Sequence, residues 1–286
     1  MIEKACKQSL IFIMILAWSF SALAAETCGA NLKVEELKEY RYILIPGILN
    51  ELIVHYMTEH RRFLMSKGVP SSQVHRINLS SFAKPDLAVD TLEDAFQEIP
   101  RDKAFIFIAH SKGALETLYF LKKHYEQLNI KKIVFIQGPM DGSSMTKLPG
   151  EEAFSGVAKF IIEKLELIPY IKDYNRSYGY KRVRHNLSNL YEYPELIKKS
   201  LFIESDTNYT KLKWKFKALG SQYVEFFGGA GDGVLMRSDH VPYVLKDDKS
   251  LCRWKYNEDH SSLVKAPPWS RSKVKKIRQF MSRVLL

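Results

Sequence analysis

The stretch that decides the fold runs from 104 to 113, Ala104-Phe105-Ile106-Phe107-Ile108-Ala109-His110-Ser111-Lys112-Gly113. Its first half is an unbroken apolar run, too short for a helix of its own and rich in the residues of a strand buried on both faces. From Lys112 the period changes: Ala114, Leu115, Leu118, Leu121 and Tyr125 fall along one helical face. Strand therefore turns directly into helix at Ser111. The same alternation repeats outward. Tyr42 to Ile45 reads as a strand stopped by Pro46-Gly47. Residues 51–65 follow as a helix carrying Leu52, Ile53, Tyr56 and Phe63. Val74 to Leu79 is a second strand, and 86–98 a helix with Leu87, Leu92 and Phe96 turned inward. Ile130 to Ile136 returns to strand. Strand and helix in strict alternation predict an α/β fold, a mostly parallel central sheet with helices on both faces joined by right-handed crossovers.

The rhythm breaks at 151–200. Phe154, Val157, Phe160, Ile161 and Leu165 form an amphipathic stripe before a Tyr-rich, basic stretch containing Pro169 and Pro194, which reads as an inserted helical cap. That stripe would line or cover a pocket, or simply pack onto the sheet. Beyond it, Lys211 to Lys217 alternates with period two, a strand with one solvated face. Leu251 to Tyr256 reads as the last strand.

A hydroxyl at a strand-to-helix turn projects above the C-terminal edge of the sheet, and the small residues Ala109 and Gly113 on either side let strand and helix approach. Ser111 is thus a candidate nucleophile; as an alternative, it is an N-cap of the helix. Serine needs an imidazole to take its proton and a carboxylate to orient that imidazole. In this architecture the acid follows a late strand and the base lies further on. Asp232, in the glycine-rich run Gly228 to Gly233, is the candidate acid, with a turn residue or a calcium ligand as the alternative and Asp206 and Asp247 in reserve. His260 is the candidate base. His240 lies only eight residues beyond Asp232, too close to turn, cross the sheet and return. His110 beside the nucleophile is expected to shape the turn rather than take its proton. An oxyanion would need two backbone N–H donors, for which Lys112 and Ile48 are the candidates.

In that order, strand-Pro46-Gly47-Ile48, Ala-His-Ser-Lys-Gly, Gly231-Asp232-Gly233 and Asp259-His260-Ser261, the chain resembles the α/β-hydrolase superfamily, especially its bacterial lipase and esterase branches. Gly138-Pro139-Met140-Asp141-Gly142-Ser143 is similar to a lipase segment that follows the next strand, with Met140 where His is usual. Pro46 replaces the usual His before Gly47. The resemblance implies Ser111 as nucleophile, Asp232 as acid, His260 as base, Ile48 and Lys112 as oxyanion donors, and hydrolysis of an acyl-ester or lipid substrate through an acyl-enzyme. An acyltransferase using the same acyl-enzyme, or a non-catalytic binding member of the fold, stays open.

Composition bounds the rest. With 286 residues, 46% of them hydrophobic and 26% charged, the chain has the make-up of an ordinary globular protein. Its charge of +11 favours anionic surfaces, but no nucleic-acid partner, cofactor or metal is expected, and a monomer is. Residues 1–24 read as a secretory signal: Lys4 and Lys7, an apolar run from Leu10 to Phe20, and Ala22-Leu23-Ala24 as the cleavage site; a retained anchor is the alternative. Export makes a Cys28–Cys252 disulfide an expectation, against two separate thiols. The tail from Arg271 to Leu286 carries six basic residues and an apolar stripe of helical period. It would either cover the sheet or make peripheral contact with anionic lipid.

Overall fold

The computed structural model describes residues 31–143, 176–206 and 232–286, apart from 49, 52, 54 and 233. Six strands, β1 (Tyr40–Ile45), β2 (Val74–Arg76), β3 (Ala104–His110), β4 (Ile130–Ile136), β5 (Ser200–Ser205) and β6 (Arg253–Tyr256), form one sheet in the order β2-β1-β3-β4-β5-β6. Every pairing is parallel. Side chains alternate across each strand, so the apolar runs divide between two cores. Ile43, Ile45, Phe105, Phe107, Ile133, Phe135 and Phe202 face one side; Tyr42, Leu44, Ile106, Ile108, Val134, Ile136 and Leu201 face the other.

The first face is covered by α2 (Pro85–Glu98) and α3 (Lys112–His124) and, further along, by α4 (Tyr180–Asn186) and α5 (Pro194–Lys198). Phe96 of α2 stands 5.0 to 5.7 Å, centroid to centroid, from the rings of Phe105, Phe107 and Phe120. That aromatic cluster fixes both helices on β3. Leu87 is not part of it: Ala88, Leu92 and Phe96, four apart, define the buried stripe, and Leu87 lies outside that arc with 58% of its surface exposed. The expected cap at 151–200 falls partly on this face. Val183, Leu187, Leu190 and Leu196 are core residues, whereas the stripe from Phe154 to Leu165 lies outside the described residues, as do the 211–217 strand and the glycine-rich residues 228–231 before Asp232.

The second face is covered by α1 (Thr58–Ser66) and α6 (Arg271–Leu285), packed on each other and on the sheet. The expected helix over 51–65 starts only at Thr58. Met57 adopts φ 55°, which breaks a helix, and Tyr56 pairs in an isolated bridge with Lys265, so Ile53 and Tyr56 belong to a loop instead. The second strand likewise ends at Arg76. In α6 the apolar residues Ile277, Phe280, Met281, Val284 and Leu285 are all core. The stripe that could have entered lipid is spent on the sheet, which leaves any membrane contact to the basic face alone. Arg278 of α6 pairs at 2.6 Å with the buried Glu59 of α1. Cys252, buried at the start of the last strand, is disulfide-bonded; its expected partner Cys28 lies outside the described residues.

His60 sits between α1 and α6, fully buried, with its ring edge-on to Phe280 and neither ring nitrogen hydrogen-bonded among the described residues. Burial pushes its pKa down to about 3. The unfolded chain binds a proton at this site below about pH 6.5 and the fold does not. Its effect on stability is therefore absent above that pH and grows against the fold as pH falls towards 3. We expect His60→Leu to raise stability at neutral pH by roughly 1–3 kcal/mol, and to flatten the loss between pH 6 and pH 4 in denaturant titrations.

Candidate active site

The turn from β3 into α3 is made by one residue. Ser111 has φ 54° and ψ −131°, a conformation that L side chains rarely adopt. The positive φ reverses the chain at once and lifts the hydroxyl off the sheet's edge; no side-chain hydrogen bond caps the helix, so the N-cap role is not what the side chain does. Two glycines make room. A Cβ at Gly113 would stand 2.3 Å from the Pro46 carbonyl oxygen, and one at Gly47 would stand 2.6 Å from Cβ of Ser111. The Pro46-Gly47-Ile48 turn after β1 is therefore pressed against the nucleophile candidate, the placement that a backbone donor from Ile48 requires. Lys112 opens α3, where N–H groups have no intrahelical acceptor. Its side chain is occupied elsewhere: Nζ pairs with the buried Glu116 and donates to the Ser80 carbonyl.

Ser111, Asp232 and His260, up to 149 residues apart in the chain, meet above β3 and β4. His260 Nε2 lies 2.8 Å from Ser111 Oγ, and its Nδ1 lies 2.6 Å from Asp232 Oδ2. An ionised carboxylate can only accept, so Nδ1 carries the proton and Nε2 is left free to accept the serine's. The backbone holds the same register: His260 N–H donates to the Asp232 carbonyl at 2.9 Å. On the other side of His260, the Asp259 carboxylate accepts from the N–H and hydroxyl of both Ser261 and Ser262, which fixes the loop locally.

Asp232 is completely buried. Burial alone would push its carboxyl up, yet the pull of His260 and hydrogen bonds from two imidazoles hold it well below the usual carboxylate range. Its Oδ1 accepts from the N–H groups of Val234 and Leu235. Its Oδ2 accepts from His260 and, at 3.2 Å, from Nε2 of His240. The Ser205 N–H donates to Nδ1 of His240, so the proton of that ring must sit on Nε2 and point at Asp232. Sequence spacing set His240 aside as a base and missed that eight residues suffice to bring it back onto Asp232. Calcium among several oxygens does not describe this carboxylate, whose acceptor positions are taken by N–H donors. Asp206, the reserve acid, pairs with Arg237 at the surface, and Asp247 is exposed.

Below the site, His110 is buried and turned to Tyr56 and to the backbone of His260 rather than to Ser111. Gln137, at the end of β4 with φ 49°, donates to the Asp259 carbonyl. The segment beginning Gly138-Pro139 forms a tight loop in which Met140 is buried against Gly138 and Asp141 is clamped by Arg184 and Lys246.

An all-parallel sheet in this order, a strained serine between the third strand and its helix, and an imidazole-carboxylate pair from later loops make this the α/β-hydrolase fold. Solved structures agree. A metagenomic carboxyl esterase superposes with a TM-score of 0.61 at 15% identity, over 87% of this chain and 73% of that one. The mature form of a lipase from Bacillus licheniformis superposes with a TM-score of 0.55 at 15% identity, over 87% of this chain and 93% of that one. No family model matches the chain and no curated protein matches it significantly. At such identities the likeness is one of fold.

The approach at Gly113 can be tested alone. Its Cβ would meet backbone, the Pro46 carbonyl, which cannot swing aside. Gly113→Ala is expected to cost about 1–3 kcal/mol of stability, seen as a lower melting temperature, and to separate the Pro46 turn from Ser111.

Proposed function

We propose that the protein is a serine hydrolase of carboxylic esters. The observation that carries this reading is the hydrogen-bonded series Ser111 Oγ, His260 Nε2, His260 Nδ1, Asp232 Oδ2 at 2.8 and 2.6 Å, with the serine on a strained turn. In this mechanism His260 takes the proton of Ser111 as Oγ attacks the ester carbonyl carbon. The resulting oxyanion is held by the N–H groups of Lys112 and Ile48, donors that need no rearrangement as charge develops. His260 then gives its proton to the leaving alcohol as the C–O bond breaks, which leaves an acyl group on Ser111. Water, deprotonated by the same imidazole, attacks that acyl-enzyme; the acid departs and Ser111 regains its proton. Asp232 stays ionised throughout, orienting His260 and stabilising its positive charge. The esterase and lipase names of the structural neighbours favour acyl esters or lipids as substrates.

A panel of p-nitrophenyl esters of rising chain length tests this. Ser111→Ala and His260→Ala are each expected to lower kcat by several orders of magnitude, and the double variant by little more, because the pair acts as a unit. Melting temperatures near that of the unaltered protein would separate this loss from unfolding. Undiminished turnover by Ser111→Ala would overturn the reading, and accumulation of an acylated alcohol in place of free acid would turn it into acyl transfer.

We also infer that residues 1–24 direct export to the periplasm or the medium. The disulfide at Cys252 supports this, since such bonds persist in oxidising compartments. Intact mass of the protein recovered outside the cytoplasm is expected to correspond to a chain beginning at Ala25; a recovered chain that retains Met1 to Ala24 would contradict it.

A further inference from the structure

We propose that Tyr56 and His110 form a buried relay that positions the oxyanion-donor turn and the His260 loop together, which makes Tyr56 a positioning residue for ester hydrolysis. This rests on the function proposed above and adds to it two side chains that the mechanism does not use. Both are buried, Tyr56 to 4% and His110 to 1% exposure, and they lie under the nucleophile rather than beside it. At one end, the Tyr56 hydroxyl is seated against Gly47, where a Cβ would stand only 2.7 Å from its oxygen. That hydroxyl lies 2.5 Å from His110 Nδ1. At the other end, His110 Nε2 lies 2.8 Å from the backbone carbonyl of His260, with the Gln137 side-chain oxygen as a weaker second acceptor at 3.3 Å.

Each link can run in only one direction. The His260 carbonyl can only accept, so the proton of His110 is on Nε2; Nδ1 must then accept from Tyr56. The hydroxyl is therefore the donor of this pair. It locks the tautomer in which His110 can hold the His260 carbonyl. Burial keeps the imidazole neutral, together with the nearby His260. Without the hydroxyl, the other tautomer becomes accessible, and a bare Nε2 lone pair would face the His260 carbonyl. The close contact of that oxygen with Gly47 would go in the same step. One missing oxygen would thus loosen both halves of the site, the turn that presents Ile48 and the loop that presents the base.

The scaffold does not depend on this oxygen. Met57 N–H donates to the Val264 carbonyl at 2.9 Å, and Tyr56 and Lys265 are bridged through their backbones, so the two loops stay tied. The Tyr56 ring, edge-on to His110 at 5.5 Å between centroids, is retained in Tyr56→Phe.

The experiment compares Tyr56→Phe with the unaltered full-length protein in the ester assay, with active sites counted by a fluorophosphonate burst. Misplacement of reacting groups by a fraction of an ångström to about 1 Å costs up to roughly 100-fold. We expect kcat per titrated site to fall by a factor of that order with KM near the original value. Affinity for an alkylboronic acid, which forms a tetrahedral adduct on serine, should weaken alongside it. Unchanged kcat per titrated site would overturn the proposal, since a purely structural role lowers the number of active sites and not their turnover. His110→Phe, alone and combined with Tyr56→Phe, supplies a second check: a double variant little worse than the poorer single supports one shared relay, and fully multiplicative losses refute it. Failure of the ester reading itself shows separately, as turnover that survives Ser111→Ala. In that event the relay is still read from 15N spectra of the histidine rings, where His110 should be the Nε2–H tautomer and should lose that signature in Tyr56→Phe. An unaltered His110 signal would end the proposal whatever the activity.

Discussion

Between β3 and α3 the chain passes from extended to helical conformation within a single residue, and Ser111 absorbs the change at a positive φ. A non-glycine residue in such a region costs of order 1–3 kcal/mol, so the conformation persists only because its surroundings leave no alternative. β3 is held on both sides by β1 and β4, α3 is clamped by the phenylalanine cluster on one sheet face, and Gly113 lets α3 approach the Pro46 carbonyl more closely than any side chain would allow. The serine hydroxyl stands at the point where β3, α3 and the Pro46-Gly47 turn converge. Both loops that complete the site are built against this point.

The polar groups around it are arranged so that the hydrogen-bond partners fix the tautomer of each imidazole. Two backbone N–H groups and two imidazoles saturate Asp232, the Ser205 N–H sets the tautomer of His240, and the His260 carbonyl sets that of His110. Buried polar networks are costly when partly satisfied and rigid when complete. Here completeness fixes His260 with its proton on Nδ1 and its lone pair towards Ser111, which is the state a general base needs before substrate arrives. His60 is the contrast: also buried, but with neither ring nitrogen hydrogen-bonded among the described residues, it contributes packing against Phe280 and a sensitivity to acid.

The sequence by itself determined the alternation of strands and helices and the position of the sharp turn, and it named Ser111, Asp232 and His260 as candidates, side chains that the fold places within hydrogen-bonding distance of one another. Those features are local: a run of Phe and Ile is long enough for a strand and no more, and small residues at 109 and 113 mark close approach whatever surrounds them. It misplaced what depends on neighbours. The helix drawn over 51–65 obeyed apolar spacing, yet Tyr56 bridges to Lys265 and Met57 takes a positive φ, so the helix begins only at Thr58, and Leu87 is left in solvent because four-residue spacing from Ala88 fixes the buried face elsewhere. Only the tertiary structure decided that His240 returns to Asp232, that Tyr56 sits beneath the nucleophile, and that the apolar stripe of the C-terminal helix belongs to the sheet. Each of these is a contact between residues distant in the chain or around a turn whose path the letters do not encode, and such contacts are settled by which surfaces the assembled sheet leaves to be covered.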